Sequence, residues 1–236
     1  MELISRNRAI EDQDFLSFLY SWQNVGNPAE DDPMLAGEYF DESLNEMRFF
    51  SQEELDKSRQ KEIDDFKHLI DDKPKVDSTV FATLVIDTPD DSDEIEYVTD
   101  VLATLIELRS LKMIFIPLYK TNWFNDDEIK NHDPVTKIAY NKLKSFIGKD
   151  DYRDGILISS KSDLKKFLPL YFNLVTANYI AHGFFYSENL KTVFSYHYSG
   201  ELWQYCLSKK GLKLIEDFVR SNSLIVNKKY TTYNGV

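Results

Sequence analysis

Alternating and near-continuous apolar runs dominate the second half of this chain. Residues 178–208 divide into NYIAHGFFYS, TVFSYHYS and LWQYCLS, three runs rich in aromatic and β-branched residues. The polar breaks Glu188-Asn-Leu-Lys191 and Gly200-Glu201 separate them, so the stretch predicts a three-stranded antiparallel meander. Upstream, Thr79–Ile86 is an apolar run of strand length, the pattern of a strand covered on both faces. Met113–Tyr119 is a second such run, with Pro117 pushing that end to an edge or a bulge. Between them, Ile95, Val98, Val101, Leu102, Leu105, Ile106 and Leu108 recur at helical spacing over Glu94–Ser110, with Asp93 placed to cap the helix. Strand, helix, strand reads as a βαβ unit or a split version of one.

The remaining elements follow from punctuation. Asn125–Asn131 reads as a polar loop or a single turn. Asp133 with Pro134 opens a helix to about Ile147, and Ile156–Ile158 is a short strand. Ser160-x-x-Asp163 opens another helix, which Pro169 is expected to kink or split. Leu212–Arg220 is a final amphipathic helix, and the polar tail Asn227–Val236 is expected to fray.

In the first third, Ile10, Phe15, Phe18, Leu19 and Trp22 give residues 1–24 one apolar helical face. Glu42–Arg48 fits a short helix. Ser51-Gln-Glu-Glu54 is a capping box that should start a surface helix to about Ile70, and Asp71–Asp77 is the best boundary. The expected class is α+β: a mixed or antiparallel sheet within residues 78–210 carrying the C-terminal three-stranded meander, flanked by helices, with a helical N-terminal third. Domains follow as 1–75, helical and acidic, and 76–236, the sheet domain, unless the two form one continuous domain.

Charge changes this picture because it is unevenly spread. The chain carries a formal net charge of −12, with 27 acidic and 9 basic side chains in residues 1–100 against 13 and 19 in the rest. Such a field repels nucleic acid from the first half and attracts basic partners to it, unless the acids are only a solvated surface. The basic residues of the second half (Lys161, Lys165, Lys166, Lys209, Lys210 and Lys213) are separated by acids, so no direct nucleic-acid binding is expected. A single cysteine, Cys206, excludes an internal disulfide and a cysteine metal cluster, which suits a reducing compartment and a cytoplasmic protein. No export signal is visible, and runs such as KMIFIPLY and VLATLIEL are far short of a membrane span, so no membrane association is expected.

Candidate chemistry is sparse. The chain contains no G-x-G-x-x-G, G-x-x-x-x-G-K, H-E-x-x-H or G-x-S-x-G, and no cofactor is expected. Asp87-Thr-Pro-Asp-Asp-Ser-Asp-Glu94 gathers carboxylates at the end of a strand, where a hard cation would seek oxygen ligands; its plain alternative is an acidic loop and helix N-cap. His182 and His197 would flank the first hairpin of the meander near Cys206, a conceivable Cys–His pair, although free cysteines are usually small buried hydrophobes. His68 and His132 lie in polar surroundings with no partner signal. The aromatic residues of the meander serve either as a binding face or as core.

The rhythm F-F-Y-S, V-F-S-Y-H-Y-S-G-E-L-W-Q-Y resembles the sheet of small bacterial immunity proteins that neutralise polymorphic toxins. This resemblance implies a cytoplasmic protein that binds one cognate toxin and blocks a basic active site by charge and shape; it carries no residue role to a position here. The expected function is therefore a non-enzymatic inhibitor whose partner-binding surface is acidic: Glu30, Asp31, Asp32, Asp41, Glu42, Asp87, Asp90, Asp91, Asp93 and Glu94. The alternatives are a phage anti-defence inhibitor whose carboxylates mimic phosphates, and a metal-dependent hydrolase or nuclease using Asp87–Glu94.

Overall fold

Every pairing in the main sheet is antiparallel, and the order of its eight strands explains most of the architecture. In this computed structural model the described residues are 1–25, 38–41, 46–49, 51–54, 56–57, 74–76, 79–90, 92–109, 111–117, 122–177, 183–197 and 200–234. The strands are β1 (Glu2–Ile4), β4 (Ala82–Ile86), β5 (Met113–Pro117), β6 (Gly155–Ile158), β7 (Gly183–Ser187), β8 (Thr192–Tyr196), β9 (Leu202–Cys206) and β10 (Thr232–Tyr233). They lie side by side in the order β1-β6-β5-β7-β8-β9-β4-β10. A separate hairpin pairs β2 (Glu38–Asp41) with β3 (Glu46–Phe49). The class is α+β, with helices flanking an antiparallel sheet.

The expected meander is present as β7, β8 and β9, in register from Phe185↔Phe194 through Phe194↔Gln204. The unit Ala82–Pro117 is the split form of a βαβ. Four antiparallel pairings separate β4 from β5, so the two run in the same direction with the whole meander inserted between them.

Alternation sends side chains to two cores. On one face, Phe115 from β5 and Phe185 from β7 meet α5 (Lys161–Thr176), where Phe115 packs at 4.6 Å from Tyr171 and 5.2 Å from Phe167. The same face carries α3 (Glu94–Arg109), α4 (Pro134–Ile147) and α6 (Lys209–Ser221). The opposite face carries Phe184, Tyr186 and Tyr205, covered by α2 (Gln13–Val25), whose Phe15 stacks on Tyr186 at 4.4 Å.

Several expectations change. Residues 1–24 are not one helix: Glu2–Ile4 form a strand on β6, followed by a one-turn helix α1 (Arg6–Ala9) and then α2. Glu46–Phe49 is a strand, where Glu42–Arg48 read as a helix; pairing along β2 outweighs a weak local propensity. The N-terminal third is thus part strand, and the sheet extends beyond residues 78–210. The Pro117 end of β5 is an edge locally, as expected: β5 lies between β6 and β7, but β6 reaches only Phe115, and the Pro117 carbonyl accepts from Arg6 Nη1 at 3.2 Å. Pro169 leaves α5 as one continuous helix.

The tail is paired with the sheet as far as Asn234. Asn227 N–H donates to the Val85 carbonyl at 2.8 Å, Thr232 and Tyr233 pair with β4, and Asn234 N–H donates to the Phe81 carbonyl. Backbone pairing with an otherwise open β4 edge holds it. The capping box is also present, with Ser51 N–H donating to Glu54 Oε2 at 2.8 Å and Glu54 N–H to Ser51 Oγ at 3.3 Å. Gln52–Glu54 and Asp56–Lys57 are helical, while 58–70 and most of the 71–77 boundary lie outside the described residues. Asp93, Asp133 and Ser160 cap their helices as expected, and Glu128–Asn131 is a single 3-10 turn.

Two contacts set the register between layers and generate predictions. Gly211, in the first turn of α6, lies so close to the β7–β8 turn that a Cβ there would stand 1.9 Å from the Leu190 carbonyl oxygen. Alanine would gain about 0.5–1 kcal/mol of helix propensity, but a clash with backbone forces α6 away from the sheet. Gly211→Ala is therefore expected to lower stability by about 2 kcal/mol, read from urea unfolding.

Asp12 caps α2 through the amides of Asp14 and Phe15 and also receives the Lys191 ammonium, which reaches Asp14 at 3.1 Å. Lys191 holds a left-handed backbone, φ 48°, in the β7–β8 turn to do so. Burial pushes the Asp12 carboxyl up, but the hydrogen bond and charge of Lys191, with help from the Tyr186 hydroxyl and the Phe15 N–H, hold it below the usual 3.8. A depressed carboxylate contributes its stability above the unfolded-state value and loses it as pH falls through the folded-state value. Asp12→Asn keeps the cap and removes the charge. It is expected to cost about 1 kcal/mol at neutral pH. That cost should stay level down to about pH 5 and shrink below pH 3.8, as measured by denaturant unfolding across pH.

Candidate functional site

Five of the ten acidic positions named from sequence, Asp41, Asp87, Asp90, Asp93 and Glu94, are among the described residues. Glu30, Asp31, Asp32, Glu42 and Asp91 lie outside the described residues, and Asp41 closes β2 opposite Glu46. Asp87 is half-buried and engaged: its Oδ1 accepts from Asn227 Nδ2 at 2.8 Å and its N–H donates to the Ile225 carbonyl, which anchors the tail. Thr88 Oγ1 donates to the Gly200 carbonyl at 2.6 Å, and the Glu94 side chain packs against Gly200. Asp90 is exposed. Asp93 accepts the Glu96 N–H at 2.8 Å as the cap of α3.

The structure adds what the acidic loop leads into. From Asp93, Glu96, Asp100 and Glu107 recur three, four and seven residues apart, so four exposed carboxylates share one side of α3. The spacing is legible in the sequence, extending beyond the Asp87–Glu94 loop into the helix. α5 runs antiparallel alongside. Lys161 Nζ lies 2.5 Å from Glu107 and Lys165 Nζ 2.5 Å from Asp100. The Asp100 carboxylate, then the charges of Glu96 and Glu107, hold the Lys165 ammonium above its ordinary value.

The ladder of cross-helix pairs then stops. One rung further the α5 positions are Pro169 and Asn173, neither of them cationic, and Asn173 Nδ2 donates to the Pro169 carbonyl at 2.6 Å. Opposite stand Glu96 and Asp93. Here a groove of about 430 Å³ opens, lined by Asp93, Ile95, Glu96, Thr99 and Asp100 from α3 and by Lys165, Pro169 and Asn173 from α5, so that Lys165 brings one ammonium into it. The site is a mixed-charge cleft at the acidic end of α3, in which Asp93, Glu96 and Asp100 outnumber the single Lys165 ammonium.

The residues considered for catalysis are separated. Thr192↔Cys206 and Tyr196↔Leu202 are the two ends of the β8–β9 ladder, which puts about 13 Å between the cysteine and the His197 end. His197 Nδ1 faces Glu201 Oε2 at 3.2 Å and its ring lies 6.2 Å from Trp203. His182 and His68 are outside the described residues, and His132 follows the 3-10 turn ahead of α4. Among the described residues no three His, Cys, Asp or Glu side chains group as a metal-ligand set. Most meander aromatics belong to the cores: Phe184, Phe185, Tyr186, Phe194 and Tyr196 are all buried.

The chain matches no protein-family model, and no curated protein or solved structure is significantly similar to it.

Burial pushes the Cys206 thiol up to about 12, against a small opposing hydrogen bond from Thr192. At pH 8 its thiolate fraction is about 10⁻⁴. Alkylation by iodoacetamide is expected to be at least about a hundredfold slower in the folded protein than in urea, followed by mass spectrometry; comparable rates would contradict the burial.

Proposed function

We propose that this chain is a non-enzymatic protein-binding inhibitor, an immunity protein that neutralises a basic cognate toxin in the cytoplasm. The observation that carries the reading is the row of exposed carboxylates on α3, at the edge of a cleft whose cationic ladder is incomplete. A protein partner with a basic surface would complete that ladder. Its association would be steered by the acid excess of residues 1–100, which includes Asp93, Glu94, Glu96 and Asp100.

The aromatic residues of the meander contribute less than their number promises, because the two cores consume them; Trp203 and the ring of His197 remain half-exposed. Among the described residues no helix is long and apolar enough to cross a membrane.

The test begins with capture of partners from the native host at low salt. Expected is a basic protein that is toxic when expressed alone and harmless when co-expressed with this chain. Its association rate should fall about tenfold or more between low and high ionic strength, measured by surface plasmon resonance. A salt-indifferent rate, or toxicity that co-expression leaves untouched, would overturn the reading.

A further inference from the structure

Asn234 makes the last described bond of the C-terminal tail, its N–H donating to the Phe81 carbonyl at 2.7 Å, and Asn234-Gly235 is the one Asn-Gly dipeptide of the chain. An asparagine side chain can close on the backbone nitrogen of the residue that follows it. A side chain on that next residue obstructs the approach, and glycine has none. Asn234 is exposed and lies just past β10. Its carboxamide makes no hydrogen bond among the described residues. Other asparagines are tied: the carboxamide nitrogens of Asn122, Asn173 and Asn222 donate to backbone carbonyls, and that of Asn227 donates to Asp87.

We infer that Asn234 is a site of spontaneous deamidation. The Gly235 backbone nitrogen, its proton lost to solvent, attacks Cγ of Asn234. The new C–N bond closes a succinimide ring, the Cγ–Nδ2 bond breaks, and ammonia leaves with a proton taken from water. Water then opens the ring at either carbonyl. One opening gives aspartate; the other gives isoaspartate, in which the main chain runs through Cβ and Cγ. The balance is a water consumed and an ammonia released, with no oxidant or reductant. Each event places a carboxylate on the residue bonded to Phe81, over whose ring the Lys209 ammonium lies at 6.0 Å from the centroid.

A second dipeptide in the same molecule serves as the comparison. Asp154-Gly155 is the one Asp-Gly pair of the chain and can close the same ring with loss of water. There the fold holds both members. Asp154 Oδ1 accepts the Arg6 N–H at 3.0 Å, and Gly155 pairs with Ile4. The packing around Gly155 is so close that a Cβ on it would stand 2.9 Å from the Phe115 carbonyl oxygen. Ring closure needs local movement, which the sheet denies to Asp154 and the end of the tail leaves to Asn234.

The full chain is incubated at mildly alkaline pH, folded and in guanidinium chloride, and digested with trypsin, which frees residues 230–236 after Lys229. Mass spectrometry should show the amide-to-acid mass gain in that peptide, with chromatography resolving aspartyl and isoaspartyl forms. The folded rate should lie within about tenfold of the unfolded rate. It should rise with pH, because the attacking nitrogen must lose its proton. Asn234→Gln, whose longer side chain closes a less favourable ring, and Gly235→Val should each slow conversion at least about tenfold. Isoaspartate at Asp154 should form only in the unfolded chain. An Asn234 that stays intact in the folded chain while the unfolded chain converts would overturn the inference. So would conversion that keeps its full rate in Gly235→Val, or isoaspartate forming at Asp154 in the folded chain as fast as at Asn234.

Discussion

A sheet with strands buried on both faces is the constraint from which the rest of this structure follows. All five residues of β7 are buried, and so are all five of β4. Two cores must therefore be built at once, one on each side, and the chain meets that demand with aromatic residues. Phe115 alone approaches Trp123, Phe167, Tyr171 and Phe185 within 5.5 Å. Such close filling leaves no room at specific points. A Cβ on Gly183 would lie 2.4 Å from the Phe115 ring, just as one on Gly211 would meet the β7–β8 turn. Glycine at these two positions is a packing requirement, which is why composition alone gives little hint of it.

The helix layer on the larger core obeys a second rule, charge matching across antiparallel helices. Exposed pairs such as Lys161–Glu107 and Lys165–Asp100 contribute little to stability individually. Their value is positional: they define a repeating spacing against which an unmatched rung becomes visible. Pro169 interrupts that spacing and the helical hydrogen bonding at the same place, without breaking the helix. The flanking turns of α5 are buried through Leu164, Phe167, Leu168, Tyr171 and Phe172, and this burial keeps the helix continuous through a residue that removes one of its hydrogen bonds.

What could be read from sequence were the elements with local signals. The meander announced itself by composition and by breaks at Glu188–Lys191 and Gly200–Glu201; α3, α4 and α5 announced themselves by Asp93, Asp133 and Ser160. What could not be read were β1 and β10. They are three and two residues long, and nothing in Glu2-Leu-Ile or Thr232-Tyr names a partner some 150 residues distant. The same holds for the cleft. The spacing of Asp93, Glu96 and Asp100 is visible along the chain, but only the packing of α3 on α5 reveals which of them is answered by a lysine.

The placement of those two short strands has a consequence for how the molecule is made. β1 and β10 form the two rims of the sheet, so each rim closes by joining residues about 150 positions apart in the chain. Pairings of such sequence separation form slowly, because loop closure precedes any gain from contact. On the ribosome, Glu2–Ile4 emerge first and wait until residues 155–157 have followed; β4 keeps a bare flank until Thr232 and Tyr233 arrive. Throughout that interval a strand that ends up buried on both faces presents unpaired amides and carbonyls to its surroundings. Translation speed over the last third of the message, and chaperone cover for the growing chain, thereby become determinants of yield.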